Sequence, residues 1–358
     1  MAVLQDKRGR FGGCPTFAIL AVVVVAVSPI YGPSSADKLD TIVYEHAPDE
    51  HAPWPMLDIY SLDTDNKNPR PLTKDGHSHT PSWSGDGQHI LFIHDGKLHT
   101  KPPYHLTAET ESHHPVELYI MNRDGSSPHL VRRFETPILQ ASLSPDGKMV
   151  AATAAFLPGR SAGPGAMPED PTKQPIPGLF LFPLDGQSEP HLLFRDAFTP
   201  AWSPDGNRVA FSVHLPGSRW AVHVSQVDGS GEVQLTDPSL NASSPSWSPD
   251  GRHIAYEAST EGHGLREIFT MDADGSRQCQ LTTDYNWECS APSWSHRGEK
   301  IAFYCRSASA PCGAGVGGHS GKPSGCVRRV FITSAFDPRQ KPVQLTDQDA
   351  AFPVFAPK

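Results

Sequence analysis

Pro245-Ser246-Trp247-Ser248-Pro249-Asp250-Gly251-Arg252-His253-Ile254-Ala255-Tyr256 reads as an apolar strand, a tight turn and a second apolar strand. Proline at the first turn position presets φ. The aspartate bonds back to the backbone, and glycine takes the position that needs φ > 0. The pattern recurs as Pro81-Ser82-Trp83-Ser84-Gly85-Asp86-Gly87, Ala141-Ser142-Leu143-Ser144-Pro145-Asp146-Gly147, Pro200-Ala201-Trp202-Ser203-Pro204-Asp205-Gly206 and Pro292-Ser293-Trp294-Ser295-His296-Arg297-Gly298. A last copy, Pro353-Val354-Phe355-Ala356-Pro357, is cut short. One slot holds Trp83, Leu143, Trp202, Trp247, Trp294 and Phe355, which predicts packing between neighbouring repeats.

Each copy carries a second half. Glu267-Ile268-Phe269-Thr270-Met271-Asp272-Ala273-Asp274-Gly275-Ser276 alternates apolar residues before an Asp-Gly turn, and Gln280-Leu281-Thr282 follows. Alternation ending in Asp-Gly signals a hairpin. One repeat is therefore four antiparallel strands, A to D, with a Pro-Asp-Gly turn between A and B and an Asp-Gly-Ser turn between C and D. Four short strands per repeat make a propeller blade, and repeats of roughly 40–50 residues fit that reading. The truncated copy supplies only a strand A. Thr41–Glu45, Leu57–Asp63 and Pro69–Thr73 read as the missing B, C and D. The expected fold is all-β: a six-bladed β-propeller of four-stranded antiparallel blades, the ring closed by a composite blade from both chain ends.

The Pro-Ser-Trp-Ser-Pro-Asp-Gly turn, the Met-Asp-Ala-Asp-Gly-Ser turn and the Leu-Thr pair ending a blade resemble the TolB-type propeller repeat. The resemblance covers residues 37–358 and implies the fold. It implies no single function, because propellers host binders, lyases and peptidase subdomains alike. About 40 residues before the first blade strand are too few for a separate domain, so a propeller alone is expected.

Residues 1–36 read as an export signal, or alternatively as an N-terminal anchor. Lys7, Arg8 and Arg10 precede an apolar run from Phe17 to Val27, and Ser34-Ser35-Ala36 offers a small-residue cleavage site. A periplasmic or secreted, monomeric protein is expected, with no membrane insertion of the mature domain. The chain carries net charge −9; loss of three basic residues and one acid with the signal takes it to −11. That acidity argues against nucleic acid and anionic membranes as partners.

Three repeats carry insertions between strands B and C: Lys97–Val116, Leu157–Pro177 and Ser307–Cys326. B–C and D–A loops leave a four-stranded meander on the same side, so the insertions crowd one face around the channel mouth. Long loops on a rigid scaffold are where binding concentrates. Histidines are numerous, 18 in all. His77 and His79, two residues apart in an extended segment, are expected to point the same way. They could hold a divalent transition metal, with His263 or Glu261 completing the shell. His214 is a further candidate on that face. The histidine pair before Pro81-Ser82-Trp83-Ser84 is also similar to oligogalacturonate lyases, seven-bladed propellers with a histidine-held metal. No catalytic arginine or lysine can be matched to that family by motif.

Five cysteines fall in the last blades, a pattern of disulfides in an exported protein. Cys312 with Cys326 and Cys289 with Cys305 are the expected pairs, and Cys279 the odd thiol. The favoured reading is a non-enzymatic propeller that binds a protein, peptide or glycan through its loop-rich face and central channel. The alternative is a metal-dependent polysaccharide lyase or hydrolase on the same face.

Overall fold

The repeats assemble into six four-stranded antiparallel sheets. The structure, a computed structural model, describes residues 40–47, 57–65, 67–95, 116–134, 138–156, 176–185, 188–259, 264–283, 286–308 and 327–357. The strands β1 (Thr41–His46), β2 (Asp58–Asp63) and β3 (Arg70–Pro71) join β24 (Ala350–Phe355) in the composite blade, with order β24-β1-β2-β3. Blade 1 is β4 (Ser78–Trp83), β5 (His89–Asp95), β6 (Val116–Asn122) and β7 (His129–Phe134). Blade 2 is β8 (Ile138–Leu143), β9 (Met149–Phe156), β10 (Ile176–Pro183) and β11 (His191–Arg195). Blade 3 is β12 (Ala197–Trp202), β13 (Arg208–Leu215), β14 (Arg219–Gln226) and β15 (Val233–Gln234). Blade 4 is β16 (Ser243–Trp247), β17 (His253–Ser259), β18 (Arg266–Asp272) and β19 (Cys279–Gln280). Blade 5 is β20 (Trp287–Trp294), β21 (Lys300–Ser307), β22 (Arg328–Ser334) and β23 (Val343–Gln344). The fold, the blade count and the composite closure are those the repeats predict.

The local signals act as their chemistry requires. In blade 1 the Gly87 amide donates to the Ser84 carbonyl at 2.9 Å, and Ser84 Oγ donates to Asp86 Oδ1 at 2.6 Å. The turn glycines Gly87, Gly147, Gly206, Gly251 and Gly298 have φ between 64° and 73°. The Leu-Thr ending also has a definite role. Thr73, Thr236, Thr282 and Thr346 each accept a strand-C amide on the side-chain hydroxyl, at 2.9–3.0 Å. The hydroxyl replaces a ladder bond where strand D turns away, and in those four blades strand D is only two residues long.

The tryptophan slot packs between blades, as expected. Nε1 of Trp83, Trp202 and Trp294 donates to a strand-A carbonyl of the preceding blade, Val354, Ser142 and Ser246, at 3.0–3.2 Å. Buried apolar side chains form six clusters, each spanning two neighbouring blades. The core therefore lies between the sheets, where their faces meet.

Cys289 and Cys305 are bonded, with Cα atoms 4.1 Å apart on β20 and β21. Cys279 is not the odd thiol expected: it too is disulfide-bonded. Spacing had assigned its partners elsewhere, and spacing does not report which loops meet in space. Cys312 and Cys326 lie outside the described residues, as do residues 1–36 and nearly all of each insertion. The described strands flanking each insertion are B and C. Among the described residues, no helix is long and apolar enough to cross a membrane.

Candidate functional site

Strand A of every blade lines the channel, and each is bulged near its start on the loop-bearing side. In five blades the bulge residue is left-handed: Thr80, Thr199, Ser244, Ala291 and Phe352, with φ between 48° and 52°. Such a backbone costs about 1–2 kcal/mol per non-glycine residue. In four of them the freed amide is caught by the fifth residue of strand B in the preceding blade. Thr80 N donates to Glu45 Oε1 at 2.7 Å, Thr199 N to Thr153 Oγ1 at 3.0 Å, Ser244 N to Ser212 Oγ at 3.0 Å and Ala291 N to Glu257 Oε2 at 3.0 Å. Blade 2 has no left-handed residue there, and the corresponding position on β5 is the apolar Ile93.

Two of these acceptors are carboxylates, and they anchor a belt of buried charge around the channel mouth. Glu257 also accepts from Ser243 Oγ and Arg266 Nη1, both at 2.7 Å. Arg266 is raised by the Glu257 carboxylate against the pull of burial, with Glu288 and Tyr304 adding to the rise. Glu288 in turn holds the Arg306 guanidinium, whose Nε donates at 2.7 Å. Burial pushes the Tyr304 hydroxyl up to about 12, with Glu257 adding to it and Arg328 and Arg266 opposing. Arg328 forks onto the fully buried Asp349, with Nε to Oδ1 and Nη2 to Oδ2 both at 3.2 Å. His46 Nδ1 lies 2.8 Å from the Asp349 carbonyl.

Glu45 closes the belt onto blade 1. Its carboxyl is fully buried, and Oε2 has no hydrogen-bond partner. Burial raises its pKa, with Asp349 adding to the rise, while His79, Arg328 and the Thr80 amide hold it back. Burial pulls the His79 imidazole down, yet Asp95, by charge and hydrogen bond, and then Glu45 raise it overall. The belt thus runs from Arg306 on blade 5 and Arg266 on blade 4, through the composite blade, to Asp95 on blade 1. Blade 3 is different: Trp220 packs against His214 at 4.9 Å and Phe198 at 5.1 Å between ring centroids. The mouth has an ionic side and an aromatic side.

The two candidate histidines each have a partner on β5. His79 Nε2 lies 2.9 Å from Asp95 Oδ2 in a largely buried ion pair. The His77 ring instead stands edge-on to His94, centroids 5.9 Å apart. Among the described residues, no three His, Cys, Asp or Glu side chains are grouped to hold a metal ion. His263 and Glu261 lie outside the described residues. His214 is on the expected face, exposed beside Trp220. The belt joins residues far apart in sequence. Its signal was an acid at the same place in two apolar strands, Ile42-Val43-Tyr44-Glu45 and Ile254-Ala255-Tyr256-Glu257.

The comparisons with known proteins agree on the fold. Residues 191–314 match the TolB beta propeller domain. No curated protein matches the chain. TolB from Acinetobacter baumannii superposes with a TM-score of 0.63 at 17% identity, over 89% of this chain and 67% of that one. Putative TolB from Agrobacterium tumefaciens gives 0.58 at 18% identity, over 89% and 98%. Kuenenia stuttgartiensis hydrazine synthase gives 0.60 at 13% identity, over 91% and 48%. Identities this low speak for the fold alone. The architecture is that of a six-bladed β-propeller with four-stranded blades. Over residues 191–314 its repeat matches the TolB beta propeller model.

Proposed function

We propose that this propeller is an exported binding protein that takes a protein, peptide or glycan at its loop-bearing face and channel mouth. The observation that carries the reading is the belt of partly buried ion pairs at that mouth. Arg266, Arg306 and Arg328 are each held by a carboxylate, and their side chains keep 15–27% of their surface exposed. A guanidinium has five donors, and one held carboxylate leaves others for a ligand. The Trp220 and Phe198 rings across the mouth supply apolar contact. Three insertions are joined to strands B and C, whose connections open on that side. Disulfides support an extracytoplasmic location, since the cytosol keeps thiols reduced.

The test is hydrogen exchange mapped on the mature chain in the presence of peptide and glycan libraries. Protection at the starts of β14, β18 and β22 supports the reading; protection confined to the opposite face overturns it. The alternative, a metal-dependent lyase or hydrolase, requires bound metal and either unsaturated sugar products (lyase) or water-cleaved products with new reducing ends (hydrolase), both lost in His77→Ala/His79→Ala.

A further inference from the structure

The face opposite the insertions carries the A–B turns, and in the continuous blades these touch one another. A Cβ added to Gly206 would lie 3.8 Å from Pro145, one on Gly251 3.8 Å from Pro204 and one on Gly298 3.4 Å from Pro249. At Gly85 it would fall 2.1 Å from the Pro145 carbonyl oxygen, so only glycine lets blade 2 seat there. The turns of blades 1 to 5 thus form a continuous crown. The composite blade contributes no A–B turn, because its strands A and B are β24 and β1. On its blade 5 side, Asp40 bridges the break through Lys300 Nζ at 3.0 Å. On its blade 1 side a cleft of about 730 Å³ remains open.

The lining of that cleft is polar throughout. Asn68, Gln88 and Asn122 present amides, and Ser61 and Thr41 present hydroxyls. Arg70 and Arg123 are balanced by Asp63 and Asp124. The equivalent cleft between blades 1 and 2 is lined in part by Ile120, Leu130, Val131, Leu143 and Leu184, so this polarity belongs to the seam. The wall is also set in place. Arg123 lies over the Trp83 ring, 5.6 Å from its centroid, with Nη2 3.4 Å from Thr41 Oγ1. Thr41 Oγ1 donates to Asp63 Oδ1 at 3.1 Å, and Asn122 Nδ2 to Ser126 Oγ at 2.9 Å.

From this the geometry points to a second binding site, at the seam of the composite blade and blade 1, for a neutral oligosaccharide. An apolar ligand would gain nothing from such walls. A simple ion would meet two charges of each sign and no net field. A ring of adjacent hydroxyls can donate and accept together, which is what planar amide, guanidinium and carboxylate groups offer in pairs. The volume lies within the range of small-molecule sites. This site is independent of the loop-bearing face and stands or falls separately.

The test is saturation-transfer NMR and calorimetry on the mature chain with maltotriose, cellotriose and chitotriose, and with inorganic phosphate as competitor. Asn68→Ala/Gln88→Ala changes two exposed residues and is checked for unchanged melting. The expected result is that at least one trisaccharide binds, at least tenfold more weakly in the double variant, and is not displaced by phosphate. No binding by any of the three, binding indifferent to the double variant, or displacement by phosphate would each overturn the proposal.

Discussion

Glu45 shows what a single side chain does at the seam. Its Oε1 holds the left-handed Thr80 amide, and its Oε2 lies buried with no hydrogen-bond partner. The carboxyl faces His79 on β4, Arg328 on β22 and Asp349 before β24; His79 faces Asp95 on β5 as well. Both Glu45 and His79 bind their proton more tightly in the folded chain than their ordinary values allow. Raised folded values mean that the stability they contribute is complete below the ordinary values and fades as pH rises through the folded ones. Stability should therefore begin to fall as pH rises above the ordinary glutamate value of 4.5, and fall further above the ordinary histidine value of 6.5. Glu45→Gln keeps the acceptor for Thr80 and removes the charge, so it should flatten that fall and match or exceed the parent at the alkaline end. Urea melts of both proteins across that range check the slope. A variant less stable than the parent at high pH would show that the ion pairs outweigh burial.

Strand D in four blades depends on one hydroxyl. Thr282 Oγ1 accepts the Ile268 amide at 2.9 Å and also bonds the buried Glu267 carboxylate. Thr282→Val keeps the shape and removes both bonds. The expected loss is about 1–3 kcal/mol, read by denaturant midpoint with m unchanged. A loss within a few tenths would mean that water or the backbone replaces the hydroxyl. The Leu-Thr pair was visible in the sequence as a recurring word; its meaning was not. The acceptor serves a strand-C amide some 14 residues earlier, and only the folded blade brings the two together.

The ring as a whole is held by interfaces between blades, since each core cluster belongs to two neighbours. Closure rests on β24, which pairs with β1 and whose Val354 carbonyl receives the Trp83 indole. Removing residues 350–358 bares the edge of β1 and takes the buried Phe355 from its cluster. An unpaired, apolar edge invites association. The truncated chain should self-associate on gel filtration and lose its single cooperative melt. A monomer with an unchanged midpoint would show that closure contributes little.

The sequence by itself determined the blades, their number and the composite closure. Each repeat carries its own turn and strand chemistry within about a dozen residues, and local signals survive without knowledge of the fold. It also paired Cys289 with Cys305, because the pairing follows from strand order. The tertiary structure alone decided the rest. Arg328 with Asp349, Glu45 with Thr80, and Arg266 with Glu257 join different strands or blades. His79 found Asp95 on the neighbouring strand, because a buried imidazole gains from an adjacent carboxylate. The seam cleft exists because two distant segments share a blade without sharing a turn, and no stretch of sequence records a turn that is missing.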